Sequence, residues 1–309
     1  KEAKEKYFET RQNEVAAKTF STQMLTVNKH TESWDSMRLS EFKQEFIQND
    51  LRGKLLGYPK STVQSVLKHI RAVFHHYHYR QNSPLTHNPC KDIKAWGKVE
   101  SEEAKEIPKM SEDEIKKLLY HTKSTDSEFH PLFFLAYHLG ARSGERWSLK
   151  WDDINSDFKF LTIKRTYCFQ SKKEKPPKNG TARKVSINES LCEFLKELKL
   201  KSDSSYVLHH HPMWRDGKIA TVLRSLQKEL KISQTSFHSI RASHITHLLL
   251  KNVPPVAVMY SVGHSDYKTT DRYVREINKE RAIENMTDVL DEKSEGKVIP
   301  WNKKKEEAG

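Results

Sequence analysis

A run of polar and charged residues interrupts the chain between about Lys94 and Pro108, and the hydrophobic patterns on its two sides differ. Before it, apolar residues recur every three or four positions, as in residues 39–47 and 62–74, which is the spacing of amphipathic helices. After it, helical spacing is mixed with short alternating stretches such as residues 158–163, which is the spacing of strands. The interruption therefore predicts two domains of different architecture joined by a connector.

The length of 309 residues agrees with two ordinary domains, each with its own core. The predicted divisions are 1–14 as a linker, a helix end or the trimmed end of an upstream segment, 15–98 as a small helical domain, 99–108 as the interdomain linker, 109–290 as the second domain and 291–309 as a charged tail. The first residue is a lysine rather than a methionine, which favours the trimmed upstream segment.

Local signals in the second domain predict many helices and few strands. An acidic first turn follows Ser111, and the turn-rich segment 176–180 separates two short strands. The predicted helices are 111–120, 131–139, 191–200, 218–230, 237–250, 254–261, 269–274 and 282–290, and the predicted strands are 158–163, 166–170 and 183–187. Asn278 is expected to cap the last helix. The fold class is therefore mainly α with a small antiparallel β-sheet.

The charge balance favours a polyanionic partner. The chain has 54 Lys+Arg against 41 Asp+Glu, a formal net charge of +13, which attracts nucleic acid or an anionic membrane surface. No apolar run approaches the ~20 residues of a membrane span, and the charged start has no apolar signal core. Three scattered cysteines are too few for a disulfide framework or a Cys-based zinc site. We therefore expect a soluble, intracellular protein in a reducing compartment.

Six side chains in the second half form a candidate catalytic set: Arg142, Lys178, His238, Arg241, His264 and Tyr273. Breaking a phosphodiester requires a nucleophile, stabilisation of charge on the phosphate oxygens and a proton for the leaving oxygen. Two guanidiniums can hold a phosphate, and a tyrosine can form a covalent phosphotyrosyl link. Each short motif alone is more often structural, because a helix can carry a surface arginine, a capping histidine or a packed tyrosine.

No metal or cofactor is predicted. Acidic clusters of the kind that hold two magnesium ions are absent from the sequence, and so is a glycine loop that cradles phosphates. The consecutive histidines 209–211 could suggest a metal site. Consecutive residues do not share a helical face, however, and Pro212 follows them, so a loop is the preferred interpretation.

Taken together, the motifs resemble the tyrosine recombinases, the phage integrase family. Residues 139–145 (LGARSGE) and 149–154 (LKWDDI) are similar to the first box of that family, and 178–187 (KNGTARKVSI) to its β-hairpin lysine segment. Residues 238–249 (HSIRASHITHLL) resemble the second box and 262–273 (VGHSDYKTTDRY) the third. The order and spacing agree over about residues 110–290, and a helical core-DNA-binding domain is expected before them.

The resemblance implies a role for each of the six side chains. Tyr273 would be the nucleophile that leaves a 3′-phosphotyrosyl end and a free 5′-hydroxyl. Arg142 and Arg241 would hold the scissile phosphate, and Lys178 would protonate the departing 5′-oxygen. His238 would assist proton transfer at the tyrosine. In addition, His264 would hydrogen-bond the phosphate, while Glu145 would orient the arginine or the neighbouring histidine.

Some of these assignments have competitors. Lys178 is preferred because it precedes the Asn-Gly turn, but four other lysines lie near it: Lys172, Lys173, Lys175 and Lys184. Tyr260 and Tyr267 compete with Tyr273, although Tyr267 follows His264 by too few residues for the family pattern. The second box also has Ala242 where relatives commonly have histidine.

The resemblance further implies DNA as substrate and a homotetramer on two specific core sites, with possible accessory DNA-bending or directionality factors. It also implies a cytoplasmic, nucleoid-associated protein of a bacterium. Residues 282–290 are a plausible helix for exchange between protomers, although packing on its own subunit is nearly as plausible. Candidate phosphate contacts are Lys68, Arg71, Arg80, Arg183, Lys184 and Arg224.

The expected function is integration or excision of a mobile element or phage. The alternatives are a type IB topoisomerase and a non-catalytic DNA-binding protein that retains the boxes as relics.

Overall fold

The protein was analysed as a computed structural model, which describes residues 1–80, 83–97, 106–168, 171–177, 180–208 and 218–290, the last seven of them by backbone alone. The chain divides into two compact units, Lys1–Glu106 and Ile107–Gly309. No helix in the described ranges combines the length and the hydrophobicity needed to cross a bilayer.

The first unit is helical throughout its described elements. Its helices are α1 (Glu2–Arg11), α2 (Ala17–Thr31), α3 (Gln44–Lys54) and α4 (Lys60–His78), with 3-10 turns at Glu32–Trp34 and Leu39–Glu41. Helix α4 forms the centre because seven of its apolar residues, at three- and four-residue spacing, are buried: Val63, Val66, Leu67, Ile70, Val73, Phe74 and Tyr77. The helical pattern predicted for this half of the chain is therefore present.

Of the interpretations given for residues 1–14, the linker is wrong for most of that segment. Residues Glu2–Arg11 form α1, whose Tyr7 and Phe8 are buried in the core of the first unit. The Tyr77 hydroxyl also donates a hydrogen bond of 2.8 Å to the carbonyl of Ala3. The only apolar residues of this charged helix are Ala3, Tyr7 and Phe8, which is too few for the helical spacing to be recognised from the sequence.

The second unit is mainly helical and carries two small antiparallel sheets, so the predicted fold class is confirmed. Its helices are α5 (Glu112–Ser124), α6 (His130–Leu139), α7 (Ser143–Trp147), α8 (Glu189–Leu200), α9 (Lys218–Glu229), α10 (Phe237–Leu250), α11 (Pro255–Val262) and α12 (Tyr267–Leu290), with a 3-10 turn at Trp151–Asp153. The strands are β1 (Phe160–Ile163), β2 (Thr166–Cys168), β3 (Lys173–Lys175) and β4 (Arg183–Ser186). Strand β1 pairs with β4, and β2 pairs with β3.

Two turns with left-handed glycines position the functional side chains of this unit. Gly140 ends α6 with φ of +53°, and Gly263 ends α11 with φ of +72°. Glycine adopts this conformation without a steric penalty, which allows the chain to reverse directly after a buried helix. Arg142 follows the first turn by two residues, and His264 follows the second directly.

Helix α12 is continuous from Tyr267 to Leu290, whereas the sequence predicted two helices separated near Asn278. Asn278 therefore lies inside a helix and caps nothing. Helix α12 packs on α10 and α11 through a small apolar cluster that includes Ile245, Val258 and Ile277, with Tyr273 against its edge. The buried Ile277 on the face of Tyr273 explains why the helix continues without a break at this point.

Candidate active site

Five of the six predicted catalytic side chains lie on elements that meet in the second unit. Arg142 is the N-cap of α7, His238 and Arg241 lie on α10, His264 follows α11, and Tyr273 lies on α12. The sixth, Lys178, lies outside the described residues, as do the histidines 209–211. The prediction for Lys178 therefore remains untested by the structure.

Arg142 is fixed by contacts at both sides of its guanidinium. Its Nη1 donates to Glu145 Oε1 at 3.0 Å, and its Nη2 donates to the carbonyl of Gly263 at 2.8 Å. The backbone N–H of Arg142 donates to Glu145 Oε2 at 2.9 Å, which closes the first turn of α7. The first and third motifs are thereby joined through one arginine, whose side chain is still 30% exposed.

Arg183 also belongs to this site, as a partner of Glu145 that the sequence did not predict. Its guanidinium donates to both oxygens of Glu145, at 2.7 and 3.2 Å, and its Nε donates to the carbonyl of Ser261 at 2.8 Å. The side chain is 9% exposed, so it is not a free DNA-phosphate contact as the sequence suggested. A Cβ added to Gly263 would lie 2.7 Å from its Nη1, which is a further reason for glycine there.

Glu145 is the buried anion to which both arginines bind. Its side chain is 1% exposed. Burial by itself raises the pKa of Glu145, but the hydrogen bond and charge of Arg183, together with Arg142, outweigh burial and lower the pKa below its usual value. The carboxylate therefore stays ionised at neutral pH. The predicted role of Glu145 in orienting Arg142 agrees with this geometry.

Arg241 is buried, with 3% of the residue exposed. Its Nη1 donates to the carbonyl of Gly140 at 2.6 Å. Burial, and next the charge of Arg142, lower the pKa of Arg241 to about 10, so it remains protonated at neutral pH. Because no carboxylate in the described ranges forms an ion pair with it, its charge is available to an anion.

His264 is held as a neutral ring. Its Nδ1 lies 2.8 Å from Oγ1 of the buried Thr270. Burial, followed by the charges of Arg241, Arg142 and Arg183, lowers its pKa to about 4. If the threonine hydroxyl donates to Nδ1, the proton resides on Nε2, where it can donate to an anion.

Tyr273 stacks beside His264 with ring centroids 6.4 Å apart. Burial raises the pKa of the half-buried phenol, while the charges of Arg241 and Arg272 act to lower it. The competing residues Tyr260 and Tyr267 are 67% and 43% exposed. Tyr273 is thus the tyrosine of α12 that the arginines influence.

His238 is exposed on the first turn of α10. Partial desolvation, followed by the charges of Arg241, Arg146 and Arg142, lowers its pKa. An accessible imidazole that is neutral at pH 7 can accept a proton. The described residues contain no group of three or more side chains that could hold a metal ion.

Stability is expected to decrease on acidification because three partly or fully buried histidines resist protonation. Burial is the main cause that lowers the pKa of His138, His244 and His264 to about 4 each. The unfolded chain binds these protons near pH 6.5, so the stabilisation is complete above that pH and decreases as the pH falls toward 4. Urea unfolding at pH 7.5 and 5.0 measures the change.

The replacement His244→Phe should reduce this pH dependence, since it keeps a ring and removes the titrating group. The matched control is His87→Gln at an exposed histidine, which should leave the dependence unchanged. An identical urea midpoint at both pH values would contradict the expectation.

The other predicted phosphate contacts have different surroundings. Arg71 donates to the carbonyls of Cys90 and Ile93 at 3.0 and 3.1 Å, which gives it a structural role. Lys68, Arg80 and Arg224 are exposed, and exposed Lys184 lies 5.4 Å above the Phe160 ring. These four remain candidate contacts.

The solved structures similar to this chain include integrases. The Tn1549 transposon integrase in complex with transposon right-end DNA matches with a TM-score of 0.70 and 15% identity, over 88% of this chain and 93% of that one. A lambda integrase dimer bound to a core site matches with a TM-score of 0.67 and 15% identity, over 88% and 76%. At this identity the likeness shows a shared fold.

Proteins with similar sequences include tyrosine recombinases and integrases. A XerC-like tyrosine recombinase of Caldanaerobacter subterraneus subsp. tengcongensis is 28% identical over 67% of this chain and 61% of its own length. The integrase of Staphylococcus phage L54a is 24% identical over 87% of this chain and 82% of its own. The chain spans less than two thirds of the length of the Caldanaerobacter relative. Residues 108–280 match the model of the phage integrase family. The chain belongs to the phage integrase family.

Proposed function

We propose that this chain is a site-specific DNA recombinase that cuts and rejoins DNA through a 3′-phosphotyrosyl intermediate, for integration or excision of a mobile element or phage. The observation that carries the proposal is the meeting of Arg142, Arg241 and His264 beside Tyr273, since these groups come from three separate motifs. Membership of the phage integrase family supports it.

The scissile phosphate would bind to Arg142 and Arg241. Both guanidiniums are held by protein carbonyls, from Gly263 and Gly140, so they are oriented before the DNA arrives. Fixed donors of this kind stabilise charge that develops on non-bridging oxygens in the transition state. The neutral His264 would add one hydrogen bond through Nε2.

Strand cleavage would proceed by attack of the Tyr273 hydroxyl oxygen on phosphorus. The new phosphorus–oxygen bond forms as the bond to the 5′-oxygen breaks, and the electron pair leaves with that oxygen. His238 would accept the phenol proton, and Lys178 would supply a proton to the 5′-oxygen. Rejoining reverses these steps with a 5′-hydroxyl as the nucleophile, so no energy-supplying cofactor is required.

The partner would be double-stranded DNA with specific core sites, bound by a homotetramer, with accessory DNA-bending or directionality factors. A tetramer of lambda integrase bound to a Holliday junction is among the structures similar to this chain. The net charge of +13 supports binding to DNA. The helical first unit would serve as the core-DNA-binding domain.

The closest rival is a type IB topoisomerase, which would form the same covalent link and rejoin the original strand. A second rival is a non-catalytic DNA-binding protein. The presence of five of the proposed catalytic side chains on elements that meet, with an ionised Glu145 bound by Arg142 and Arg183, disfavours the second rival. The family match favours recombination over simple relaxation.

Nicked suicide duplexes that cover the DNA flanking the gene would test the proposal. The wild-type chain should form a covalent protein–DNA adduct on at least one of them, and Tyr273→Phe should form none. The matched control is Tyr267→Phe, on the same helix but 43% exposed, which should retain the adduct.

The duplex that yields the adduct would then be used in a strand-exchange assay between two marked copies. Recombinant products support the recombinase. Relaxation of supercoiled DNA without recombinant products would establish the topoisomerase instead. An adduct that persists in Tyr273→Phe would show that another residue is the nucleophile.

A further inference from the structure

Arg146 is a buried cation to which none of the roles above applies. It lies on α7, the five-residue helix that Arg142 caps and that also contains Glu145. The residue is 3% exposed, and its guanidinium carbon lies 4.7 Å above the ring of Phe237. Phe237 directly precedes His238, so Arg146 lies against the start of the helix that carries the second motif.

The guanidinium of Arg146 forms no ion pair with the residues that the structure describes, although the charge of Glu145 acts on it from nearby. Its Nε is fully enclosed and has no hydrogen-bond partner there. The one nearby carboxylate, Glu145, is already bound by Arg142 and by Arg183. Arg146 therefore differs from these two arginines, which share an anion, and resembles Arg241, which has none.

Stability of the fold does not account for an arginine at this position. A buried unpaired charge is strongly unfavourable, and apolar residues of similar volume commonly replace such charges without loss of stability. The side of the guanidinium that faces Phe237 is apolar, because Phe237 packs against Phe133 of α6 with ring centroids 5.8 Å apart. A leucine or methionine would suit these neighbours better.

We propose that Arg146 is an electrostatic positioning residue of the active site, whose buried unpaired charge is neutralised by the DNA phosphate and by no described side chain of the protein. The role of the DNA phosphate in this proposal rests on the proposed function. It follows from the general observation that unfavourable groups retained in a fold concentrate at functional sites.

A second consequence concerns His238 and does not require DNA. The charged groups acting on His238 are Arg241 on its own helix and Arg146 and Arg142 from α7 and its cap; the nearby His264 is neutral. After desolvation, which has the largest effect, the charges of Arg241 and then Arg146 and Arg142 lower its pKa. Arg146 thus helps to keep His238 unprotonated and able to accept the Tyr273 proton.

The test is Arg146→Met in the full chain, with three measurements. The thermal midpoint should rise, because an unpaired buried charge is removed. The pKa of His238, followed by NMR in the free protein, should rise because one positive charge is lost. Single-turnover formation of the covalent adduct should be about 10-fold slower, because the phosphate loses electrostatic stabilisation.

Two further variants make the outcome decisive. Arg71→Met removes an arginine that donates to two carbonyls, so its thermal midpoint should fall, in contrast to Arg146→Met. Arg146→Lys keeps the charge and should retain a low His238 pKa and most of the cleavage rate. If Arg146→Met fails to fold, or melts at a lower temperature, the proposal is overturned, since the charge then serves the fold.

The remaining outcomes separate this proposal from the proposed function. An unchanged His238 pKa together with an unchanged cleavage rate in Arg146→Met would overturn the electrostatic role. If the wild-type chain forms no adduct with any duplex, the proposed function fails. A higher thermal midpoint and a higher His238 pKa in Arg146→Met would still support the electrostatic role.

Discussion

Replacement of Arg241 by alanine is expected to slow formation of the covalent protein–DNA adduct by about 10²–10³-fold, the effect of removing one preorganised donor from an oxyanion site. The reason is the position of this guanidinium, which is 3% exposed and held by the carbonyl of Gly140 at 2.6 Å. Its orientation is thus fixed before DNA binds, and no water can take its place with the same geometry. Single-turnover cleavage of a suicide duplex measures the loss.

Arg241→Lys distinguishes charge from geometry. Lysine supplies a positive charge but lacks the planar fork that can donate to Gly140 and to a phosphate oxygen together. We therefore expect Arg241→Lys to remain strongly impaired. Arg275→Ala is the matched control and should cleave at the wild-type rate, because the Arg275 side chain is 79% exposed and pairs with Asp271 of its own helix at 2.7 Å. A folded Arg241→Ala variant that cleaves at the wild-type rate would exclude Arg241 from phosphate binding.

Replacement of Glu145 by glutamine is expected to destabilise the second unit by about 3–5 kcal/mol, as is typical when one partner of a buried ion pair is removed. The amide would leave two guanidiniums, of Arg142 and Arg183, without their shared anion. Urea unfolding at pH 7 measures the change. The control is Asp113→Asn in the exposed pair with Lys116, for which a change within about 0.5 kcal/mol is expected.

The destabilisation by Glu145→Gln should depend on pH with a defined sign. Because Arg183 and Arg142 lower the pKa of Glu145 below its ordinary 4.5, the stabilisation is present above that value and is lost as the pH falls through the lower folded value. The difference between wild type and variant should therefore diminish in acid. A double variant with Arg183→Met should be less destabilised than the sum of the single variants, since both change one network. Strict additivity would show that the two side chains do not interact.

The elements with strong local signals could be predicted from the sequence. Helix α10 begins and ends where its spacing indicated, at Phe237 and Leu250, and Ser111 caps α5 through a capping box with Glu114. Strand β3 could not be predicted, because Lys173–Lys175 is short and charged and becomes a strand only by pairing with β2.

The candidate active site likewise contains residues that the sequence could predict and one that it could not. Its proposed catalytic side chains occur in motifs with fixed spacing, so the sequence could indicate these residues but not the contacts that they make. Arg183 had no such signal: it lies within the lysine segment as one of several basic residues, and its partner Glu145 lies in a motif far away in the chain. A basic residue in a basic chain is usually solvated, and only the tertiary structure shows that this one is buried.

The contacts that anchor α12 decide where a fragment containing the second unit should begin. Glu276, one turn beyond Tyr273, accepts hydrogen bonds from the backbone N–H of Ile107 at 3.0 Å and from Lys109 Nζ at 2.5 Å, and Lys109 also reaches Glu280 at 2.8 Å. The helix that carries Tyr273 is thus tied to the first three residues of its own unit. A fragment that begins at Ile107 keeps these ties, whereas one that begins at Met110 severs them, although both retain every catalytic motif.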